Sequence, residues 1–135
     1  MKIVLRTPEV ILGYAEASEA RTDPPMGCGE VTLFTTDAYS CVADLFRQKT
    51  LNSGILGPRD EAKICIADES LSTFHLSLEM EDGAPISVAG FTVSDYREEL
   101  PDEPLTLEFY GMHYKHFSIL FPGHYESYEQ AFRKV

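Results

Sequence analysis

Residues 72–93, STFHLSLEMEDGAPISVAGFTV, carry the clearest pattern in the chain. Phe74, Leu76, Leu78 and Met80 alternate with Thr73, His75, Ser77 and Glu79. That is the period of two of a strand with one buried face. Asp82 and Gly83 then break the run, and glycine enters the left-handed region without a Cβ clash, so the pair predicts a chain reversal and a hairpin. On the return, Ile86 and Val88 share one parity while Phe91 and Val93 share the other. The apolar face flips unless one residue is inserted, and Ala89 and Gly90 are the natural place for that bulge.

Outward from this stretch, short alternating runs recur. Residues 2–6 suit a strand, and residues 10–14 resume it after Thr7 and Pro8. Thr7 and Pro8 would also open a helix, but Gly13 and the β-rich run around it favour a hairpin. Residues 22–29, TDPPMGCG, read as a loop. Residues 30–35 alternate Val31 and Leu33 with Thr32 and Phe34, and Leu105, Leu107 and Phe109 alternate with polar neighbours in another half-buried strand. Residues 63–67 look like a short strand with Ile64 and Ile66 on one side and Cys65 on the other.

Two helical segments stand apart from these runs. Ala38, Tyr39, Val42, Leu45 and Phe46 fall at the three- and four-residue spacing of one apolar stripe, with Thr36 or Asp37 as cap and Arg47 and Lys49 in the last turn. The spacing predicts a helix over 37–49. Residues 113–121 satisfy either a helical stripe through Tyr114, Phe117, Leu120 and Phe121 or a strand face through Phe117, Ile119 and Phe121; Pro122 and Gly123 favour a short helix that stops there. Ser127 to Gln130 matches a capping box, and Tyr128, Ala131 and Phe132 give a final helix a face to bury.

The expected architecture is therefore a single α+β domain over residues 1–135. It has a largely antiparallel sheet of about five to seven strands, with the 37–49 helix and a C-terminal helix packed on one face. At 135 residues and 15.1 kDa the chain buries about two thirds of its unfolded surface without staples. Its 44% hydrophobic content and mean hydropathy of −0.15 are those of a soluble protein, and residues 1–6 hold too few apolar side chains for a signal peptide. A cytoplasmic location follows as an expectation. Cys28, Cys41 and Cys65 then read as reduced thiols, two of them small core residues.

Charge is localised. Residues 60–110 hold thirteen Asp and Glu against Lys63 and Arg97, a balance of −11, whereas residues 1–59 come to −1 and residues 111–135 to +1. A field of that sign disfavours nucleic acid and anionic lipid and favours basic proteins or cations. Acidic surfaces also serve solubility alone.

Candidate chemistry is sparse. His113, His116 and His124 lie within twelve residues, and a helix would place the first two on one face, near the spacing of a transition-metal site. The Glu of a zincin motif is missing, and Lys115 sits between them; partners to the surrounding aromatics are the plainer reading. Cys28, between two glycines, would be an accessible thiol, but nucleophilic catalysis needs a base such as His75 or His124 brought near by the fold. Glu98, Glu99, Asp102 and Glu103 lack the register of a calcium loop, residues 54–59 lack the Lys and Ser/Thr of a phosphate loop, and no serine-hydrolase elbow is present. No cofactor or metal is implied, and no catalytic residue is assigned.

What remains is surface. His75, Glu79 and Glu81 lie on the polar side of the alternating run 73–80 and its continuation, and Tyr96, Glu98, Glu99, Asp102 and Glu103 lie in the acidic stretch 95–104. Together they form a candidate binding area for a basic protein, with Tyr96 as aromatic anchor. In size, acidity and lack of catalytic motifs the chain is similar to bacterial immunity proteins, which implies a non-enzymatic protein that blocks a toxin domain. The alternative is a small enzyme or ligand-binding domain using Cys28 or the three histidines.

Overall fold

The computed structural model describes residues 1–23 and 26–124. The fold is α+β, with a curled antiparallel sheet. Its strands are β1 (Lys2–Arg6), β2 (Ile11–Glu16), β3 (Arg21–Asp23), β4 (Cys28–Thr35), β5 (Ser77–Met80), β6 (Gly90–Ser94) and β7 (Thr106–Tyr110). They run in the order β5-β1-β2-β4-β7-β6, with β3 also on β4. The helices are α1 (Ser40–Leu51), entered through a 3₁₀ turn at Asp37–Tyr39, then α2 (Glu61–Ser72) and α3 (Tyr114–Leu120). No helix among the described residues is long and apolar enough to cross a membrane. The final helix expected over 127–132 lies outside the described residues.

The long strand β4 explains the curl. Its first half pairs with β3 on one edge and β7 on the other, and its last three residues pair with β2. One strand thus serves two sets of neighbours, and its right-handed twist carries the sheet around. Inside lie Ile3, Leu5, Val31, Leu33, Leu78, Val93 and Leu107, joined by Val42 and Phe46 from α1 and by Phe117 and Leu120 from α3.

Residues 72–93 divide differently from their pattern. Gly83 takes φ +87 as the reversal requires, and Met80 N–H bonds to Ala84 O at 2.8 Å. Residues 72–76 are not strand, however, because α2 runs on to Ser72 and a turn follows. After the reversal the chain stays beside β5 only as far as Ile86, whose N–H reaches Leu78 O, and then leaves it. Phe91 and Val93 pair instead with Phe109 and Leu107 of β7. The change of parity at Ala89 and Gly90 is therefore a change of neighbours, not a bulge in one hairpin.

Three further expectations are corrected. Residues 63–67 are helical: Asp60 caps α2 by accepting from Lys63 N at 3.1 Å, and the inward stripe is Ile64, Ala67 and Leu71, with Ile66 left 64% exposed. Residues 22–29 are not simply loop, since β3 and the start of β4 form a hairpin with Gly27 at φ +61. No cysteine is in the core: Cys41 and Cys65 are exposed on α1 and α2, and Cys28 is half-buried.

Gly29 is fixed by packing. A Cβ on Gly29 would overlap Phe109 Cζ, and Phe109 is 2% exposed and stacked on Phe121 at 5.7 Å, so the ring cannot withdraw. A Cβ on Gly90 would overlap Tyr110, but that ring is 56% exposed and free to swing out. Gly29→Ala should cost about 2 kcal/mol through overpacking and Gly90→Ala less than about 0.5 kcal/mol, as read by urea unfolding. Equal costs would show that the ring at Gly29 has room to move.

Candidate functional site

The acidic stretch 95–104 leaves the end of β6 and is tied to α1. Thr50, 4% exposed, accepts the Asp95 N–H on Oγ1 at 2.9 Å. Arg97 folds back onto the Asp95 carboxylate, donating from Nε and Nη2 at 2.9 Å each and from its backbone N–H at 3.1 Å. Arg47, its side chain 14% exposed, reaches up from α1 to Asp95 O at 2.6 Å, to Glu98 at 3.1 Å and to both oxygens of Glu99. Two backbone bonds, Leu100 N–H to Tyr96 O at 2.7 Å and Glu103 N–H to Leu100 O at 2.9 Å, set the turn.

This arrangement orders the loop without neutralising it. Five carboxylates against two guanidiniums leave a net charge of −3 over Arg47 and residues 95–104. The Glu98 side chain is 82% exposed, Asp102 and Glu103 are exposed, and Leu100 stands 52% exposed between them. The hydrogen bond from Arg47 holds the Glu99 carboxyl below its ordinary range. The hydrogen bond from the Arg97 side chain does the same for Asp95, against the opposing pull of burial.

Asp95 therefore makes stability depend on acid. Its folded pKa lies below its unfolded value near 3.9, so its contribution is full above about pH 4 and lost as pH falls through the folded pKa. Melting of the wild type between pH 5 and pH 2.5 should fall more steeply than that of Asp95→Asn. Parallel curves would remove Asp95 from the acid limb.

The eight residues proposed from sequence fall in three places. Tyr96, Glu98, Glu99, Asp102 and Glu103 share the loop. Glu79 faces Arg6 of β1 at 3.6 Å, and Glu81 accepts the Lys2 N–H at 2.6 Å, so both are held at the β5 edge by β1. His75, at φ +51, is exposed in the turn between α2 and β5. It lines a small hollow with Phe46, Leu76 and Phe91. The Lys49–Asp68 ion pair, 2.8 Å, borders that hollow and also a cleft of about 330 Å³ that Tyr96 lines.

His113, His116 and His124 each make a structural hydrogen bond. His113 caps α3 by accepting from Lys115 N at 3.2 Å, His116 Nδ1 accepts the Ser87 N–H at 2.9 Å, and His124 Nδ1 is hydrogen-bonded to Thr22 Oγ1. Among the described residues no three of His, Cys, Asp and Glu are gathered as a metal site. Cys28 is paired across the hairpin with Asp23, and Thr22 with Gly29. Alternation along the strands therefore sends Cys28 Sγ and the Thr22–His124 pair to opposite faces of the ribbon.

Arg47 is the residue of the candidate site that the sequence does not reveal. It was legible only as a helix-end cation, and its partners lie 48 to 52 residues further on. No protein-family model, curated protein or solved structure matches this chain.

Proposed function

We propose that the chain is a non-enzymatic binding protein of the immunity or inhibitor kind, which engages a basic protein through residues 95–104. The observation that supports this reading most is the ordering of the acidic loop by Arg47 and Asp95, which leaves Glu98, Asp102 and Glu103 facing outward around an exposed Leu100. Carboxylates on a tethered turn attract a cationic partner at long range and lose little conformational freedom when it docks. Leu100 supplies the apolar contact such an interface needs at its centre. The acidity of the 60–110 segment extends the same field over the neighbouring surface.

The test begins with capture of the partner from the source cell and purification of both proteins. Glu98→Gln, Asp102→Asn and Glu103→Gln together should then raise Kd about 30-fold or more, mostly through slower association. The reading fails if the captured proteins carry no basic surface, or if the triple variant binds as tightly as the wild type.

A further inference from the structure

The cleft beside the loop is walled by the end of α1, the connection to α2, Ile64 and Asp68 of α2, and residues of β6 and β7. Most of its charges are already matched. Lys49 is paired with Asp68 at 2.8 Å, and Arg59 holds Glu61 while donating to Ser53 O at 3.1 Å. Glu108 is different. It accepts from Ser94 Oγ at 3.1 Å, and its neighbours across the strands are Thr92 and another carboxylate, Glu30. Among the described residues no cation lies within 4 Å of Glu108; the nearby Arg21 is 89% exposed and turned to Glu30 at 3.6 Å. Carboxylates opposite one another across two strands repel, so this position gains from an added positive charge.

The rest of the cleft suits a long side chain. Ile55 and Ile64 offer apolar walls, and Tyr96 offers an aromatic ring to a cation. Ile55 is 74% exposed, which leaves the mouth open. At about 330 Å³ the space is of the size that takes one such group.

We infer that this cleft receives an arginine side chain of the basic partner, its guanidinium on the Glu108 carboxylate and its methylenes along Ile55 and Ile64. The inference rests on the proposed reading of the loop, and it names the cleft as the second half of that interface. A planar fork of donors matches the carboxylate better than an ammonium does, so arginine is favoured over lysine.

The test uses N-acetyl-arginine amide, with N-acetyl-citrulline amide as its neutral isostere and backbone amide NMR shifts as the readout. The arginine compound should bind saturably and shift the amides of Thr92, Ser94 and Tyr96, and the citrulline compound should bind at least about tenfold more weakly. Glu108→Gln should lose about tenfold in affinity. So should Ile55→Lys, which sets a like charge at an exposed position where the fold is not at stake. Equal binding of the two compounds, shifts confined to residues 97–103, or full affinity in Ile55→Lys would overturn the inference. The two proposals separate cleanly. If the loop variant loses the partner while Glu108→Gln keeps both partner and amide, the cleft inference falls alone; if Glu108→Gln loses the amide while the loop variant keeps the partner, the loop reading falls alone.

Discussion

Phe46→Ala should destabilise the protein by about 3–5 kcal/mol and lower its melting temperature by roughly 10–20 °C. Phe46 is 1% exposed, and its ring lies parallel to that of Tyr39 at 6.3 Å. It is the largest side chain that α1 buries, and the helix bears on β6 and α2 through the same face. Truncation opens a cavity that a strand on one side and a helix on the other have little freedom to fill. Because Arg47 and Thr50 stand on the same helix, the loss should also loosen residues 95–104. Cys41→Ala, on the exposed face of α1, serves as the control and should stay within about 0.5 kcal/mol of the wild type. Equal stability of the two variants would mean that α1 is not anchored by Phe46.

Arg47→Met should cost about 2 kcal/mol, and the loss should be felt at the loop rather than in the core. The methionine keeps the buried stem, so packing against α1 is largely preserved. The Asp95 carbonyl, which receives the Arg47 guanidinium at 2.6 Å, loses that donor, and Asp95, Glu98 and Glu99 are left close together with Arg97 alone to balance them. Amide exchange of Leu100 and Glu103, whose N–H groups close the loop's turn, should quicken roughly 30-fold while amides in β1 and β2 are unchanged. Affinity for the basic partner should fall although three outward carboxylates remain, because the loop must then be ordered on binding. Unchanged exchange at Leu100 would mean that the turn holds itself without the helix.

Much of the fold was legible because its signals are local. The 3.6 spacing of Tyr39, Val42 and Phe46 marked α1, and the alternation of Leu105, Leu107 and Phe109 marked β7. The turn at Gly83 followed from the backbone freedom of one residue. What failed was choice between partners. Ile64, Cys65 and Ile66 alternate as a strand does, yet the capping carboxylate of Asp60 and the wider stripe through Ala67 and Leu71 make the segment helical. Ile86 and Phe91 each face the core, but on different neighbours, and short-range pattern carries no information about which strand lies alongside.

The candidate site was legible to the same degree. The exposure of the 95–104 stretch followed from its charge and its prolines. Its anchoring on Arg47, and the place of Glu108 opposite Glu30 across a strand pair, depend on contacts between segments far apart in the chain. The grouping of His75, Glu79 and Glu81 with the loop rested on one strand's polar face. In the fold β1 holds two of these residues at the β5 edge.

The central claim is that clustered, outward-facing carboxylates on a pre-ordered loop capture a basic protein. Its most direct test is the association rate with the purified partner between 50 and 500 mM salt, for the wild type and for the variant neutralised at Glu98, Asp102 and Glu103. The account predicts about a 30-fold fall for the wild type and less than about threefold for the variant. A wild-type rate indifferent to salt, or the same slope in both proteins, would contradict it.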